Sequence, residues 1–182
     1  MAELIVVERL KNRDEYDSVV AVIHSAHAVL HESGIDLSTA SITVEEILKK
    51  LGETGVTLVA RCDKQIVGTL SIVIEKISKW RYRGNAAVIR FVAVHPDHQG
   101  KHIASMLMNE AIAYVKEYPV SLVTTAENNF NAIQLYRKYG YIPTEKFIYN
   151  GHCCIRFSKW HALWRNLAAR LFYLRSMKRS LH

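Results

Sequence analysis

The sequence of 182 residues is 49% hydrophobic, which suits a single domain with a buried core and excludes a wholly disordered chain. No apolar run of about 18 residues is present, and the N-terminus lacks the features of a signal peptide, so neither a transmembrane helix nor secretion is predicted. The net charge of +7 resides in residues 156–182, which carry seven Lys or Arg and no Asp or Glu, whereas the charges before them cancel. This distribution argues against nucleic-acid binding by the whole domain.

The first half of the chain reads as a strand, two helices and a group of three strands. Apolar residues recur at helical spacing from Asp14 to about Leu30. Thr43 and Glu46 form a capping box that opens a short helix, and Asp63-Lys64-Gln65 separates two β-rich runs, which indicates a hairpin. The predicted elements are a strand at 3–8, helices at 14–30 and 43–51, strands at 55–62, 66–77 and 86–94, and a basic loop at 78–85.

The second half alternates helices and strands and ends in a hairpin. Helical spacing predicts a helix over Ile103–Val115, and a strand follows the break at Pro119. A helix over Asn131–Tyr139 ends at Gly140, a natural C-cap. Asn150-Gly151 is the strongest short hairpin signal, because both turn positions favour positive φ.

The predicted order is therefore β-α-α-β-β-β-α-β-α-β-β, which belongs to the α/β (α+β) class. Three consecutive strands favour antiparallel pairing, and the later β-α-β step favours one parallel crossover. We expect a mixed, mostly antiparallel sheet of about seven strands with helices on both faces. Residues 1–158 form the predicted domain, and residues 159–182 form a basic amphipathic helical extension.

The junction Gln99-Gly100-Lys101-His102 joins an apolar strand to a helix. At such a junction the first amide groups of the helix have no intrahelical partner, and the helix dipole is positive. A loop that turns these groups outward binds phosphate readily. An ordinary exposed turn has the same composition, so both interpretations stay open from the junction alone.

Two segments of the sequence resemble the GNAT superfamily of N-acetyltransferases. The family's pyrophosphate signature, Gln or Arg, two residues, Gly, one residue, then Gly or Ala, falls on Gln99 to Ala104, with His102 where glycine is usual. The strand before it has the family's approach, Val92-Ala93-Val94-His95-Pro96. The second family pattern falls on Asn131, Ala132, Ile133, Leu135, Tyr136, Gly140 and Tyr141.

The resemblance implies a role for each matching residue. The co-substrate is acetyl-CoA, with no metal. The backbone of Val92, Ala93 and Val94 would pair with the pantetheine arm in a gap between splayed strands, and Asn131 would contact that arm. Tyr136 would lie beside the sulfur as the acid for the leaving thiolate. The pyrophosphate would be held by the amide groups of Gln99, Gly100, Lys101, His102, Ile103 and Ala104. From the residues alone, Tyr136 is equally a core tyrosine and Asn131 an N-cap.

The general base is not evident from the sequence. Many members of that family carry a glutamate two residues before the Val-x-Val run, and Arg90 occupies that position here. An arginine is no base at ordinary pH. Water-relayed deprotonation, Glu127 at the end of the fifth strand, and a nearby histidine are the alternatives. Arg90 itself would pair with a carboxylate of the protein or with an acidic acceptor, or lie on the exposed sheet face.

Other candidate residues border the expected acceptor pocket. His24, His27 and His31 share one face of the first helix, for which a half-exposed surface is favoured over a metal site. The resemblance places this helix beside the acceptor pocket, so His27 is a candidate substrate contact. Arg83 belongs to the basic and aromatic segment 78–85, which is expected to rim the same pocket or to be an ordinary hairpin end rather than to bind nucleic acid.

The tail and the cysteines bear on partners and location. Trp160, Leu163 and Trp164 begin an apolar stripe in the tail that favours packing on the domain or on a homodimer partner, ahead of an anionic membrane surface or an acidic partner. Cys62, Cys153 and Cys154 form no disulfide or zinc pattern, so a reducing cytoplasm is the expected location.

The sequence therefore predicts an acetyl-CoA-dependent N-acetyltransferase that moves an acetyl group to a primary amine by direct attack in a ternary complex. The acceptor is a small molecule or a peptide amine. The alternative is an acyl-CoA-binding sensor or scaffold of the same fold without turnover, which Arg90 and His102 favour.

Overall fold

The structure is a computed structural model that describes residues 4–35, 39, 41–79 and 82–161. Within these ranges the chain forms four α-helices and seven strands. The helices are Tyr16–Glu32 (α1), Val44–Leu51 (α2), Ile103–Val115 (α3) and Phe130–Lys138 (α4). The strands are Ile5–Arg9 (β1), Val56–Cys62 (β2), Gln65–Lys79 (β3), Tyr82–Val94 (β4), Val120–Ala126 (β5), Ile142–Tyr149 (β6) and His152–Trp160 (β7).

All seven strands form one sheet in the order β1-β2-β3-β4-β5-β7-β6. Among the described strands, β4 and β5 pair in parallel and every other neighbouring pair is antiparallel. This confirms the predicted mixed, mostly antiparallel sheet and its single parallel crossover through α3. The Asn150-Gly151 turn joins β6 to β7 with positive φ at both residues, as its composition predicts.

The two faces of the sheet carry separate cores. On one face Leu107 and Met108 of α3 pack with Phe157 of β7, and on the other Ile23 of α1 and Ile47 of α2 pack against the sheet. Each of these side chains is essentially fully buried, which is worth about 1.5–3 kcal/mol apiece. Helices therefore cover both faces, as predicted. We call the face that packs against α1 and α2 the α1 face. No helix of the described residues is long and apolar enough to span a membrane.

The prediction of a loop over residues 78–85 is wrong, and the alternative of a hairpin end is confirmed. The ladder between β3 and β4 continues through Ser78 opposite Arg83 and Lys79 opposite Tyr82, so both strands extend into this segment. Residues 80 and 81 lie outside the described ranges. The basic residues did not distinguish a loop from a strand, because a solvent-exposed antiparallel ladder accepts basic residues as readily as a loop does.

The end of β7 passes the predicted domain boundary. Lys159 and Trp160 belong to the sheet, and the backbone amide of His161 donates to Pro119 O at 2.9 Å. The His161 ring also lies within 2.7 Å of the buried Ser121 hydroxyl. The remainder of the predicted helical tail, 162–182, lies outside the described residues.

Candidate active site

The parallel ladder between β4 and β5 opens into a fork. It runs from Ala87 opposite Ser121 to Ile89 opposite Val123 and ends there, although both strands continue. Residues 92–94 of β4 consequently pair with no residue on the β5 side among the described strands. A cavity of about 1310 Å³ opens at the fork and is lined by both strands. Free strand edges of this kind pair readily with an extended ligand.

A β-bulge lies at the same place in β4. Thr69 pairs with Ala93 and Ser71 with Arg90, so two residues of β4 face one residue of β3. Phe91, inside the bulge, has φ of 54°, a left-handed conformation that costs a residue with a Cβ about 1–2 kcal/mol. Backbone strain of this kind is concentrated at functional sites. No sequence signal marks Phe91 for this conformation.

The loop between β4 and α3 is shaped to receive an anion. Gly100 and His102 both have left-handed backbones, with φ of 78° and 59°, and their amides donate to no backbone acceptor in the described chain. They stand directly before the unpaired first-turn amides of α3. The helix dipole adds positive potential at this end. The loop therefore has the donors that a diphosphate requires, which fits the pyrophosphate of acetyl-CoA.

Gln99 contributes to this loop differently from the expectation. Its backbone amide already donates to Pro96 O at 3.1 Å, and its side-chain amide donates to Val94 O at 3.3 Å. Gln99 thereby ties the loop to the end of β4 rather than offering its amide to a ligand. Ile103 and Ala104 line the cavity, whereas Lys101 is not among its described lining residues.

The left-handed backbone explains why glycine is usual at the position of His102. We expect His102→Gly to raise the unfolding free energy by about 0.5–1 kcal/mol, because glycine adopts this conformation without a Cβ penalty. CoA affinity should change less than about tenfold if the imidazole points away from the phosphates. Thermal denaturation and calorimetric titration with CoA measure both effects. His102→Ala is the control, since it removes the imidazole but keeps the strain; equal affinity losses in both variants would make the imidazole a ligand.

Tyr136 of α4 lines the cavity with its ring held on two sides. The ring centroids of Tyr141 and Phe157 lie 6.4 and 6.0 Å away, and only 4% of the residue is exposed. Burial raises the pKa of the Tyr136 hydroxyl far above its usual range, with Tyr141 adding to the effect. The hydroxyl therefore stays protonated around neutral pH and can donate to a group in the cavity. Tyr136 is both a core residue and a residue of the cavity.

Asn131 is not the N-cap of its helix. That cap is Asn129, whose side chain accepts from the amide of Ala132 at 3.2 Å. Asn131 is exposed on the first turn of α4 and lines the cavity. Because the capping role belongs to Asn129, the side chain of Asn131 is available to a ligand in the cavity.

The candidate bases have different surroundings. Glu127 is ion-paired with Lys146 and lines a separate cavity of about 320 Å³, so the geometry speaks against its role as the base. His27 of α1 is buried, lines the main cavity and lies 3.4 Å from the Thr39 hydroxyl. Burial lowers the pKa of His27 below its usual 6.5. His27 is therefore neutral at pH 7 and can accept a proton.

The three histidines of α1 differ in exposure, as on a half-exposed helix face. His27 is buried, whereas His24 and His31 are exposed, and His24 binds Ile42 O through Nε2 at 2.9 Å. The predicted substrate contact Arg83 belongs to β4, but its side chain lies outside the described part of the chain.

Arg90 pairs with a carboxylate of the protein. Its Nη2 donates to Oε1 of Glu75 at 2.5 Å, and both residues line the cavity. Glu75 was not found from the sequence, because it does not lie directly opposite Arg90 in the β3–β4 register.

Arg156 of β7, which sequence reasoning also missed, lines the cavity and is ion-paired with Glu145. The register of the Asn150-Gly151 hairpin places Glu145 opposite Arg156 and could have predicted this ion pair.

Comparisons with known proteins agree with this geometry. A family model described as the acetyltransferase (GNAT) family matches residues 27–141. A search of curated proteins finds no match. Solved structures that superpose on the chain include yncA of Salmonella typhimurium with its cofactor acetyl-CoA, at 18% identity, covering 87% of this chain and 94% of that one with a TM-score of 0.65. The PaiA N-acetyltransferase of Thermoplasma acidophilum in complex with coenzyme A is 15% identical, and the match covers 84% of this chain and 98% of that one with a TM-score of 0.65. PH1933 of Pyrococcus horikoshii is 25% identical, and the match covers 86% of this chain and 98% of that one with a TM-score of 0.65.

Proposed function

The chain belongs to the acetyltransferase (GNAT) family, and from this premise we propose that it moves an acetyl group from acetyl-CoA to a primary amine by direct attack in a ternary complex. The observation that carries the proposal is the fork between β4 and β5, because one cavity there joins the anion-binding loop, the free edge of β4 and the hydroxyl-bearing Tyr136. Solved structures of the same fold that hold acetyl-CoA or coenzyme A support this choice of co-substrate.

The chain's own residues divide the work of holding the co-substrate. Amides of Gly100, His102 and the first turn of α3 would bind the pyrophosphate, and the free edge of residues 92–94 would pair with the pantetheine arm. Acetyl-CoA supplies the activated acyl group. An amide near Val94 would donate to the carbonyl oxygen as it gains negative charge. Tyr136, protonated around neutral pH, would donate to the departing sulfur.

We assign the general base to His27, acting directly or through a water. A lysine-type amine with a pKa near 10.4 is mostly protonated at neutral pH and must lose a proton before it attacks. His27 is the buried, neutral imidazole on the acceptor side of the cavity. The ion pair of Glu127 with Lys146 and its place in a separate cavity favour His27 over Glu127.

We expect His27→Gln to lower kcat/KM by roughly 10- to 100-fold, since glutamine preserves hydrogen bonding but accepts no proton. Because the pKa of His27 is lowered, the wild-type rate loses this base only below pH 6.5. The acid limb due to His27 should therefore lie below that pH and vanish in the variant. His24→Gln is the matched control on the same helix, and an equal loss there would contradict the assignment.

The cysteines do not fit a covalent route. Cys154 lines the cavity, but burial raises the pKa of its thiol, so little thiolate is present to attack an acyl group. Protein incubated with labelled acetyl-CoA should retain no stable acetyl group on Cys153 or Cys154. Cys62, Cys153 and Cys154 are all free thiols, which supports the proposal of a reducing, cytoplasmic location.

The decisive experiment measures free CoA thiol released from acetyl-CoA in the presence of a panel of primary amines. Steady, amine-dependent release is expected. Calorimetric binding of acetyl-CoA without thiol release on any amine would contradict the proposed enzyme activity and favour an acyl-CoA-binding module without turnover. The argument for that module is that Arg90, paired with Glu75, occupies the position where the family usually has a glutamate.

A further inference from the structure

Two arginines flank the fork on the α1 face. Val88 of β4 is paired with Val73, which belongs to the core of that face, and with Leu122 of β5. Alternation along the strands then puts Arg90 and Thr124 on the same face, one step beyond the last ladder pair. Thr124 pairs with Arg156 of β7, so Arg156 points the same way.

Arg90 and Arg156 therefore line the same cavity from the same face of the sheet. Two strand spacings of about 4.8 Å separate their Cα atoms by roughly 10 Å before the fork widens. Both side chains are partly buried, with 35% and 26% exposure for Arg90 and Arg156. A molecule that occupies the fork on this face meets both.

Each arginine is held from its outer side. Glu75 of β3 binds Arg90 and Glu145 of β6 binds Arg156, and Cζ of Arg156 lies 4.8 Å from the centroid of the Phe147 ring. The ion pairs use Nη2 of Arg90 and Nη1 of Arg156, so they leave the other guanidinium nitrogens to further acceptors. The Nε of Arg90 is buried and has no hydrogen-bond partner within the described chain. Leaving such a donor unpaired is unfavourable, so an acceptor atom from a ligand would stabilise it.

The charge of the whole cavity points the same way. Its described lining has four permanent cations and one carboxylate, and that carboxylate already binds Arg90. These residues are Lys50, Lys76, Arg90 and Arg156 against Glu75. The phosphates of acetyl-CoA do not account for the two arginines, because the anion-binding loop follows the end of β4, whereas Arg90 and Arg156 lie at the fork.

We propose that the acceptor is a small amine that also carries a carboxylate or phosphate group, and that Arg90 and Arg156 bind this anion while the amine faces the fork. The planar guanidinium matches both oxyanions with paired hydrogen bonds. Polycationic acceptors, by the same reasoning, are disfavoured. This inference rests on the proposed acetyltransferase function.

The test compares amines that differ only in the anion. Amino acids are assayed against their amides, and phosphoethanolamine against ethanolamine, by release of CoA thiol. The anionic member of the better pair should have a kcat/KM about 10- to 100-fold higher, the range expected for charge-assisted hydrogen bonds. The pair that shows the preference identifies the anion as carboxylate or phosphate.

Variants of the arginine clamp give the second readout. Arg156→Gln should remove most of the preference and leave CoA affinity within about threefold, which also reports correct folding. Glu145→Gln, which keeps Arg156, should retain the preference. Arg137→Gln is the control, since Arg137 is exposed on α4 outside the cavity lining. Preference for the neutral amines, or an equal slowing of both members by Arg156→Gln, would overturn the inference.

Failure of the proposed function gives a different pattern. If no amine releases thiol, binding of N-acetylated amino acids and of acetylated phosphoethanolamine to the CoA-loaded protein is measured by calorimetry. Binding that Arg156→Gln abolishes would uphold the anion site without turnover, and no binding of either class would reject it.

Discussion

Tyr136→Phe is expected to lower kcat by about 100- to 1000-fold, which is the range for loss of a positioned acid. The hydroxyl is the only atom removed, and the ring keeps its contacts with Tyr141 and Phe157. Affinity for CoA should change little, because the phosphate loop and the strand edge are untouched. Steady-state kinetics and calorimetric titration separate the two quantities.

A matched control tests whether the loss of kcat comes from the missing hydroxyl donor or from a disturbed core. Tyr141→Phe is that control, since it removes a buried hydroxyl that binds Ser121 at 2.7 Å, outside the cavity lining. It should cost about 1 kcal/mol of stability without affecting kcat. An unchanged kcat in Tyr136→Phe, or an equal loss of kcat in Tyr141→Phe, would contradict the acid role.

Gly68→Val should destabilise the fold by about 2–3 kcal/mol, as overpacking of a close-packed core does. Gly68 lies opposite Val94 in the sheet. A Cβ there would stand 2.8 Å from Cγ2 of Ile103 and 3.2 Å from Cδ1 of Leu107, both in α3 and both fully buried. The helix must move away from the strand to accept the side chain, and its first turn is part of the anion-binding loop.

Loss of CoA affinity should therefore accompany the loss of stability. Chemical denaturation gives the unfolding free energy, and titration with CoA gives the affinity. Gly34→Ala is the control, because no atom of the described residues lies within 4 Å of its added Cβ and the positive φ carries the penalty. It should cost about 1 kcal/mol and leave CoA binding unchanged. An unaltered unfolding free energy for Gly68→Val would show that α3 is less tightly held than its burial implies.

Local patterns were sufficient wherever neighbouring residues decide the conformation. Helix α3 has the bounds that its apolar spacing predicts, Ile103–Val115. The capping box at Thr43 and Glu46 forms as expected, with the Glu46 side chain 2.9 Å from the Thr43 amide. At Gly140, positive φ lets the amides of Gly140 and Tyr141 cap the last carbonyls of α4. In each case the interacting groups are within a few residues of one another.

Local patterns were insufficient where direction or register matters. Glu127 follows a cavity-lining strand, but in the structure it is ion-paired with Lys146 and lines a separate cavity, and its role as the base stays a prediction. The N-cap of α4 is Asn129 and not Asn131, because the helix begins at Phe130, and composition alone does not distinguish the two asparagines. Residues 78, 79 and 82–85 of the basic segment pair with one another in the β3–β4 ladder instead of forming a loop.

The sequence by itself determined the order of elements, the α/β class, the ends of the main helices and turns, and the residues that resemble a known acetyltransferase signature. These follow from hydrophobic period, capping and backbone preference, which act over a few residues. Only the tertiary structure decided that β4 and β5 part after Ile89, that Phe91 takes a left-handed backbone, and that Arg90 and Arg156 line one cavity at the fork. Those features depend on the register of strands distant in the chain, and no local preference specifies such a register.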